Sequence, residues 1–156
     1  MSSSAIATQN SVTTQNSIAT PQISSAWLPA AADLAGRIGL AVIFALAAIN
    51  KIQYFDANAA YMASGGVPAA LLPLVIAFEL FGALFVAAGL LTRTTAFALA
   101  GFSLVTAAMF HNNLADQIQF LMFFKNVAIA GGFLVVAAHG AGRFSIDSWR
   151  ATKARR

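Results

Sequence analysis

Val67 to Leu91 reads VPAALLPLVIAFELFGALFVAAGLL, an apolar run interrupted near its middle by one ionisable residue, Glu79. A helix needs about 20 mostly apolar residues to cross a bilayer core, and this stretch supplies them. An ionisable side chain at the centre of such a helix costs roughly 2.5 to 3.5 kcal/mol on insertion scales, so it turns toward a protein interior and finds a partner. The partner of Glu79 is therefore the question this sequence poses.

Working outward, comparable runs cover Leu34 to Ile49, Thr94 to Phe110 and Ile118 to Ala138, with Pro68 to Leu91 as the second of four. The expected fold is all-α, an integral membrane antiparallel four-helix bundle. The first and third runs are short, and Asp33, Asn50, His111 and Asn112 extend them to the interfaces. Leu91-Thr92-Arg93-Thr94 leaves room only for a tight turn, which makes helices two and three an antiparallel hairpin. Lys51 to Val67 is long enough for structure outside the bilayer. There Asp56 is placed to cap a surface-lying helix, with Phe55, Ala59 and Met62 along one face and Tyr54 and Tyr61 at headgroup level. Gly65-Gly66 permits a sharp turn, and Pro68 opens the second membrane helix in its first turn. Gly82, Gly89, Gly101 and Gly131-Gly132 are expected to let helices approach closely.

Composition agrees. Hydrophobic residues make up 59% and charged residues 9% of 156, and the mean hydropathy is +0.75, well outside the range of a soluble domain. With zero cysteines the chain itself cannot exchange thiols or ligate an iron–sulfur cluster through thiolates. Three segments are expected: a disordered Ser/Thr/Gln-rich tail over 1–30, the membrane domain over 31–140 and a basic tail over 141–156. The first lacks the basic start and apolar core of a signal peptide. Arg37, Arg93, Arg143, Arg150, Lys153, Arg155 and Arg156 fall on one side of the membrane, Lys51 and Lys125 on the other. Seven against two predicts that both termini are cytoplasmic. The net charge of +4 then belongs to a tail beside an anionic leaflet, and no base-reading motif points to nucleic acid. Trp149 reads as an interface anchor, and Trp27 as an anchor or an ordinary tail residue.

Within the membrane, Glu79 lies about 11 residues, or roughly 16 Å, below the outer end of helix two, and Lys125 and Asn126 lie roughly 10 to 12 Å below that of helix four. A Glu79–Lys125 ion pair is the leading expectation, with Lys51 able to join or replace Lys125. Such a pair either only locks the bundle or belongs to an outward-opening pocket shared with His111, Asn112, Asp116 and Gln117. His111 also reads as an ordinary helix-end residue and Asp116 as the N-cap of helix four. Arg37 is expected either to snorkel to the surface or to reach Glu79. His111 and His139 fall at opposite membrane faces and cannot clamp one haem iron, and no phosphate loop, dinucleotide fingerprint, metal-spaced histidine pair or nucleophile elbow is present. The chain reads as having no redox centre of its own.

Arg37-Ile38-Gly39-Leu40, Ile49-Asn50-Lys51-Ile52 with Phe55, Tyr61-Met62-Ala63 with Gly66-Val67-Pro68, Phe78-Glu79-Leu80 with Gly82, Leu91-Thr92-Arg93, Phe110-His111, Asp116-Gln117, Lys125-Asn126 and Gly131-Gly132 together resemble the DoxX family. Their order and spacing from about Asp33 to Asp147 carry the likeness. The resemblance implies a four-helix bacterial inner-membrane protein. It further implies association with the small subunit of thiosulfate:quinone oxidoreductase or a quinol oxidase, or with complexes that manage oxidative and thiol stress. On it, Arg37, Lys51, Glu79, His111, Lys125 and Asn126 fall on recurring polar positions, quinone is the implied cofactor, and the bilayer, a redox protein and a second copy of the chain are the expected partners. The first functional reading is a quinone-linked membrane subunit in which Glu79 and His111 handle protons and Lys125 and Asn126 hold a carbonyl oxygen. A non-catalytic scaffold or receptor for soluble proteins is the second. A small proton-coupled exporter is the third, weakened because its glutamate belongs in the first helix and its charge bias is near balance.

Overall fold

A computed structural model describes residues 27–156. Most of the expected N-terminal tail lies outside the described residues, but its last residues do not: α1 (Trp27–Gln53) starts at Trp27. It is followed by α2 (Phe55–Ser64), a 3₁₀ turn over Ala69–Leu71, α3 (Leu72–Ala88), α4 (Thr92–Phe110), α5 (Gln117–His139) and α6 (Ile146–Lys153). Among the described residues, four helical segments are long and apolar enough to cross a membrane: α1, Ala69–Ala88, α4 and α5. All-α architecture follows from the runs read in the sequence, with the first, third and fourth extended by flanking residues and the second shortened to Ala69–Ala88.

The four spans pack as two pairs, α1 along α3 and α4 along α5, with α3 meeting α4 less extensively. Aromatic and small side chains fill the centre. Phe44 of α1 meets Phe133 of α5 edge to face at 5.4 Å and lies 6.2 Å from Phe102 of α4, among Ala41, Val86, Leu99 and Ala130. Edge-to-face contacts of this kind add to simple apolar burial. Close approach between spanning helices is used at two of the expected glycines. A Cβ on Gly82 would stand 2.9 Å from Leu99, and one on Gly132 would stand 3.1 Å from Leu40, whereas Gly101 and Gly131 face open space. Gly89 serves a turn instead.

That turn joins α3 to α4. Gly89 is left-handed (φ 69°) at the C-terminus of α3, and the Leu90 amide returns to Phe85 O at 2.9 Å, the helix stop that glycine favours. Leu91 is left-handed too, at φ 47°, a conformation that costs a branched residue. Asp147 of α6 holds it there. The carboxylate accepts from the Leu91 amide at 3.0 Å and from the Thr92 amide and hydroxyl at 2.9 and 2.8 Å. No local side chain caps α4, so a residue near the other end of the chain performs that task. The C-terminal segment read as a basic tail thus contains a docked helix.

Three local expectations need correction. Asp56 is not a cap: Tyr54 stands at the capping position of α2 without a side-chain bond, and Asp56 sits in the first turn. Pro68 precedes the 3₁₀ turn rather than opening the membrane helix, and the first-turn proline of α3 is Pro73. Arg37 neither snorkels nor reaches Glu79. Its side chain is buried, its Nη1 donates to Val86 O at 3.0 Å and Ala87 O at 3.2 Å, and its Nη2 donates to Phe144 O. A cation there satisfies the orphan carbonyls at the negative end of α3. Asp116, by contrast, caps α5 as expected, accepting from the Gln119 amide at 2.9 Å. Trp27 and Trp149 are both exposed.

Candidate functional site

At the end of the bundle where α2 lies, a cavity of about 380 Å³ is lined by residues of both helix pairs and of α2. This volume is within the range of small-molecule sites. Phe44, Phe102 and Phe110 supply aromatic wall, and Lys51, Glu79, His111, Lys125 and Asn126 supply charge and hydrogen bonding. Five of the six polar residues singled out in the sequence therefore line one cavity. Arg37 is not among them, because it is spent on the carbonyls at the opposite end of α3. Asn112, Asp116 and Gln117 are exposed and also stand outside the lining.

Glu79 pairs with Lys51 and not with Lys125: Lys51 Nζ donates to Glu79 Oε1 at 2.9 Å. Helix pairing explains the choice. Lys51 is in the last turn of α1, the helix that packs along α3, whereas Lys125 is carried by α5, which packs on α4. Lys125 stays exposed, with Nζ 3.0 Å from the thioether of Met122, a weak acceptor. The side chain of Glu79 is 4% exposed against 21% for Lys51, so the carboxylate is the desolvated member and the ammonium stays in touch with the cavity. The second carboxylate oxygen, Oε2, is buried without a partner.

His111 follows the C-terminus of α4 and is oriented by α5, its Nδ1 lying 2.8 Å from Gln119 Oε1. Because an amide oxygen only accepts, Nδ1 is the donor in this pair. Asn126 donates through Nδ2 to Met122 O at 3.0 Å, which leaves its amide oxygen and a second N–H to offer. Over the cavity, α2 contributes Asn58, Tyr61 and Met62. Tyr61 stacks on Phe110 at 5.2 Å with 28° between the rings, and its hydroxyl donates to Phe110 O at 3.4 Å. A Cβ on Gly65 would collide with the Phe110 ring, so this glycine lets the end of α2 sit tight against α4.

Sequence reasoning missed Gln119, Asn58 and Thr106. Gln119 was legible in principle, since it is three residues beyond the α5 cap and so in its first turn. Asn58 and Thr106 reach the cavity only through the packing of α2 and α4, which no local pattern records.

Residues 32–112 match the family model DoxX. The inner membrane protein YqjF of Escherichia coli (strain K12) is 46% identical over 114 residues, covering 73% of this chain and 88% of the relative. The chain belongs to the DoxX family. A second relative, the inner membrane protein YphA of the same organism, is 35% identical over 121 residues, covering 73% of this chain and 86% of its own length. No solved structure matches. The stretch matched by the DoxX model holds Lys51, Glu79 and His111 but stops before Lys125 and Asn126. Among the described residues of this DoxX protein, no cluster of three His, Cys, Asp or Glu side chains is arranged to hold a metal ion.

Proposed function

We propose that this chain is an inner membrane subunit of a quinone-linked oxidoreductase, one that offers a quinone or quinol a binding site and leaves the electron-carrying centre to a partner protein. The observation that carries the reading is the cavity. Aromatic walls from α1 and α4 suit a flat ring, and acid, base and hydrogen-bonding groups stand around the same space. When a quinol is oxidised it gives up two electrons and two protons. In this reading Glu79 and His111 accept the protons, Lys125 and Asn126 hold the ring oxygen, Lys51 fixes the Glu79 carboxylate, and the electrons pass to a redox protein docked beside the bundle. Both E. coli relatives are inner membrane proteins by name. The seven-to-two bias of basic residues favours placing the end with α6 and both termini in the cytoplasm, so that the cavity opens toward the periplasmic half of the bilayer.

The test is to purify the tagged chain from native membranes in mild detergent beside Glu79→Gln, and to record co-purifying proteins by mass spectrometry together with the visible spectrum and extracted quinones. A redox partner or quinone present with the wild type and lost with the variant supports the reading. A colourless protein with the same contents in both would replace it with a scaffold that recruits soluble proteins.

A further inference from the structure

We infer that α6 lies in the plane of the bilayer surface and gathers anionic phospholipid along the stripe formed by Ile146, Trp149 and Lys153. The inference does not depend on what the cavity holds. It starts from the way α6 is fastened. The Asp147 amide donates to Gly89 O at 2.9 Å, and its carboxylate accepts from Leu91 and Thr92. These bonds hold α6 level with the adjoining ends of two spans. With about 100° of turn per residue, Trp149, Lys153 and Ile146 stand about 200°, 240° and 260° round the helix from Asp147. All three share the face directed away from the turn that Asp147 caps. Trp149 is 63% exposed and Ile146 38%, and Lys153 Nζ lies 5.2 Å from the centroid of the Trp149 ring.

Charge indicates what covers that face. Arg93, Arg143, Arg150, Lys153, Arg155 and Arg156 are all exposed at this end of the molecule. The acidic side chains of the whole sequence number five, and of these only Asp33, packed against Gly142, and Asp147 are on this side. Asp147 is spent on the turn. Among the described residues the salt bridge is that of Lys51 with Glu79, near the other end. The six exposed cations therefore have no carboxylate of their own chain at contact distance, and their counter-charge comes from outside it. A soluble acidic protein would answer the cations but gives no reason for Trp149 to stand exposed near Phe144, itself 52% exposed, at the level of the span ends. A bilayer surface answers both. Aromatic rings settle at headgroup level, a lysine lays its stem along apolar surface with its ammonium at the phosphates, and each cation near an anionic surface favours it by a factor of about five.

The experiment places the full chain in nanodiscs of equal parts phosphatidylcholine and phosphatidylglycerol, with bromine near the headgroup end of the acyl chains of one lipid or the other, and reads the quenching of Trp149. The chain has two tryptophans, so Trp27→Phe isolates the signal. Should that variant not fold, the difference between the wild type and Trp149→Phe gives the same reading. Brominated phosphatidylglycerol is expected to quench about twofold more than brominated phosphatidylcholine, or better. High salt should erode the difference, and Lys153→Gln with Arg155→Gln and Arg156→Gln should bring the two lipids closer to level. Equal quenching by the two lipids before any cation is removed overturns the inference, as does a preference that the triple substitution leaves undiminished. Quenching by neither lipid overturns it too, and leaves the stripe facing water, open to a soluble partner.

Discussion

Lys51 Nζ stands 2.9 Å from Glu79 Oε1, so the buried carboxylate of α3 is answered from the helix packed along it. Removing one member of a buried pair leaves an uncompensated charge, and the cost exceeds the net value of the pair. Lys51→Met should therefore lower stability in detergent by about 3 kcal/mol, the low end of the buried-pair range because the lysine is one-fifth exposed. Lys51→Met with Glu79→Gln should be less harmful than the sum of the two, while Lys125→Met with Glu79→Gln should be additive. Denaturant melts of the five proteins and the wild type check this, and a coupling of Glu79 to Lys125 instead of Lys51 would count against the pairing.

Arg37 makes a different kind of contact, donating to carbonyls of both α3 and the segment leading into α6. Lysine cannot reproduce the two-armed fork of a guanidinium. Arg37→Lys should cost about 2 kcal/mol or more and speed proteolysis within Phe144 to Lys153, yet leave the affinity of any cavity ligand unchanged. A ligand affinity that falls without a change in melting would return Arg37 to the site.

Asp147 gives the end of the bundle near α6 a pH dependence. Burial pushes its carboxyl up, but the Thr92 amide and hydroxyl, the Leu91 amide and Arg150 together outweigh that and hold it below the usual carboxylate range. A carboxyl depressed in the folded state stabilises above its unfolded pKa, about 3.9, and that contribution disappears as pH falls through the lower folded value. Docking of α6, followed by Trp149 fluorescence, should therefore persist to mildly acidic pH and fail below the ordinary aspartate range. Asp147→Asn should abolish the step and remove about 1 kcal/mol at neutral pH, the usual value of a helix cap.

Leu91 sits at φ 47° with its side chain largely exposed, so little packing is lost if it is replaced. Leu91→Gly should raise stability by up to about 1 kcal/mol, since left-handed backbone costs a non-glycine residue about 1 to 2. Gly89→Ala should do the opposite and by more, because an added Cβ meets Ser145 and the Arg37 guanidinium as well as an unfavourable φ. Equal melting temperatures for both variants would show that the turn carries no such strain.

How much of this was legible in the sequence depends on the range of the interaction. The four spans and the Asp116 cap are written in local pattern, because apolar length and capping chemistry act within a few residues. The partner of Glu79 was not. Lys51 and Lys125 are both lysines near the same end of the bundle, and the choice between them depends on which helix pairs with α3. Arg37 and Asp147 were hidden for the same reason. Their partners lie 49 residues or more away along the chain, and many of the groups they bind are backbone carbonyls and amides, which every residue possesses.

The dependence of α4 on Asp147 also sets an order in time. The carboxylate is synthesised 55 and 56 residues after the Thr92 and Leu91 amides it binds, a delay of roughly 3 to 11 s at common translation rates. Throughout that interval the middle turn exists without its cap, whatever the state of the spans around it. Message truncated just ahead of Asp147 would encode all four spans of the described residues and still yield a protein whose central turn lacks the carboxylate that fastens it.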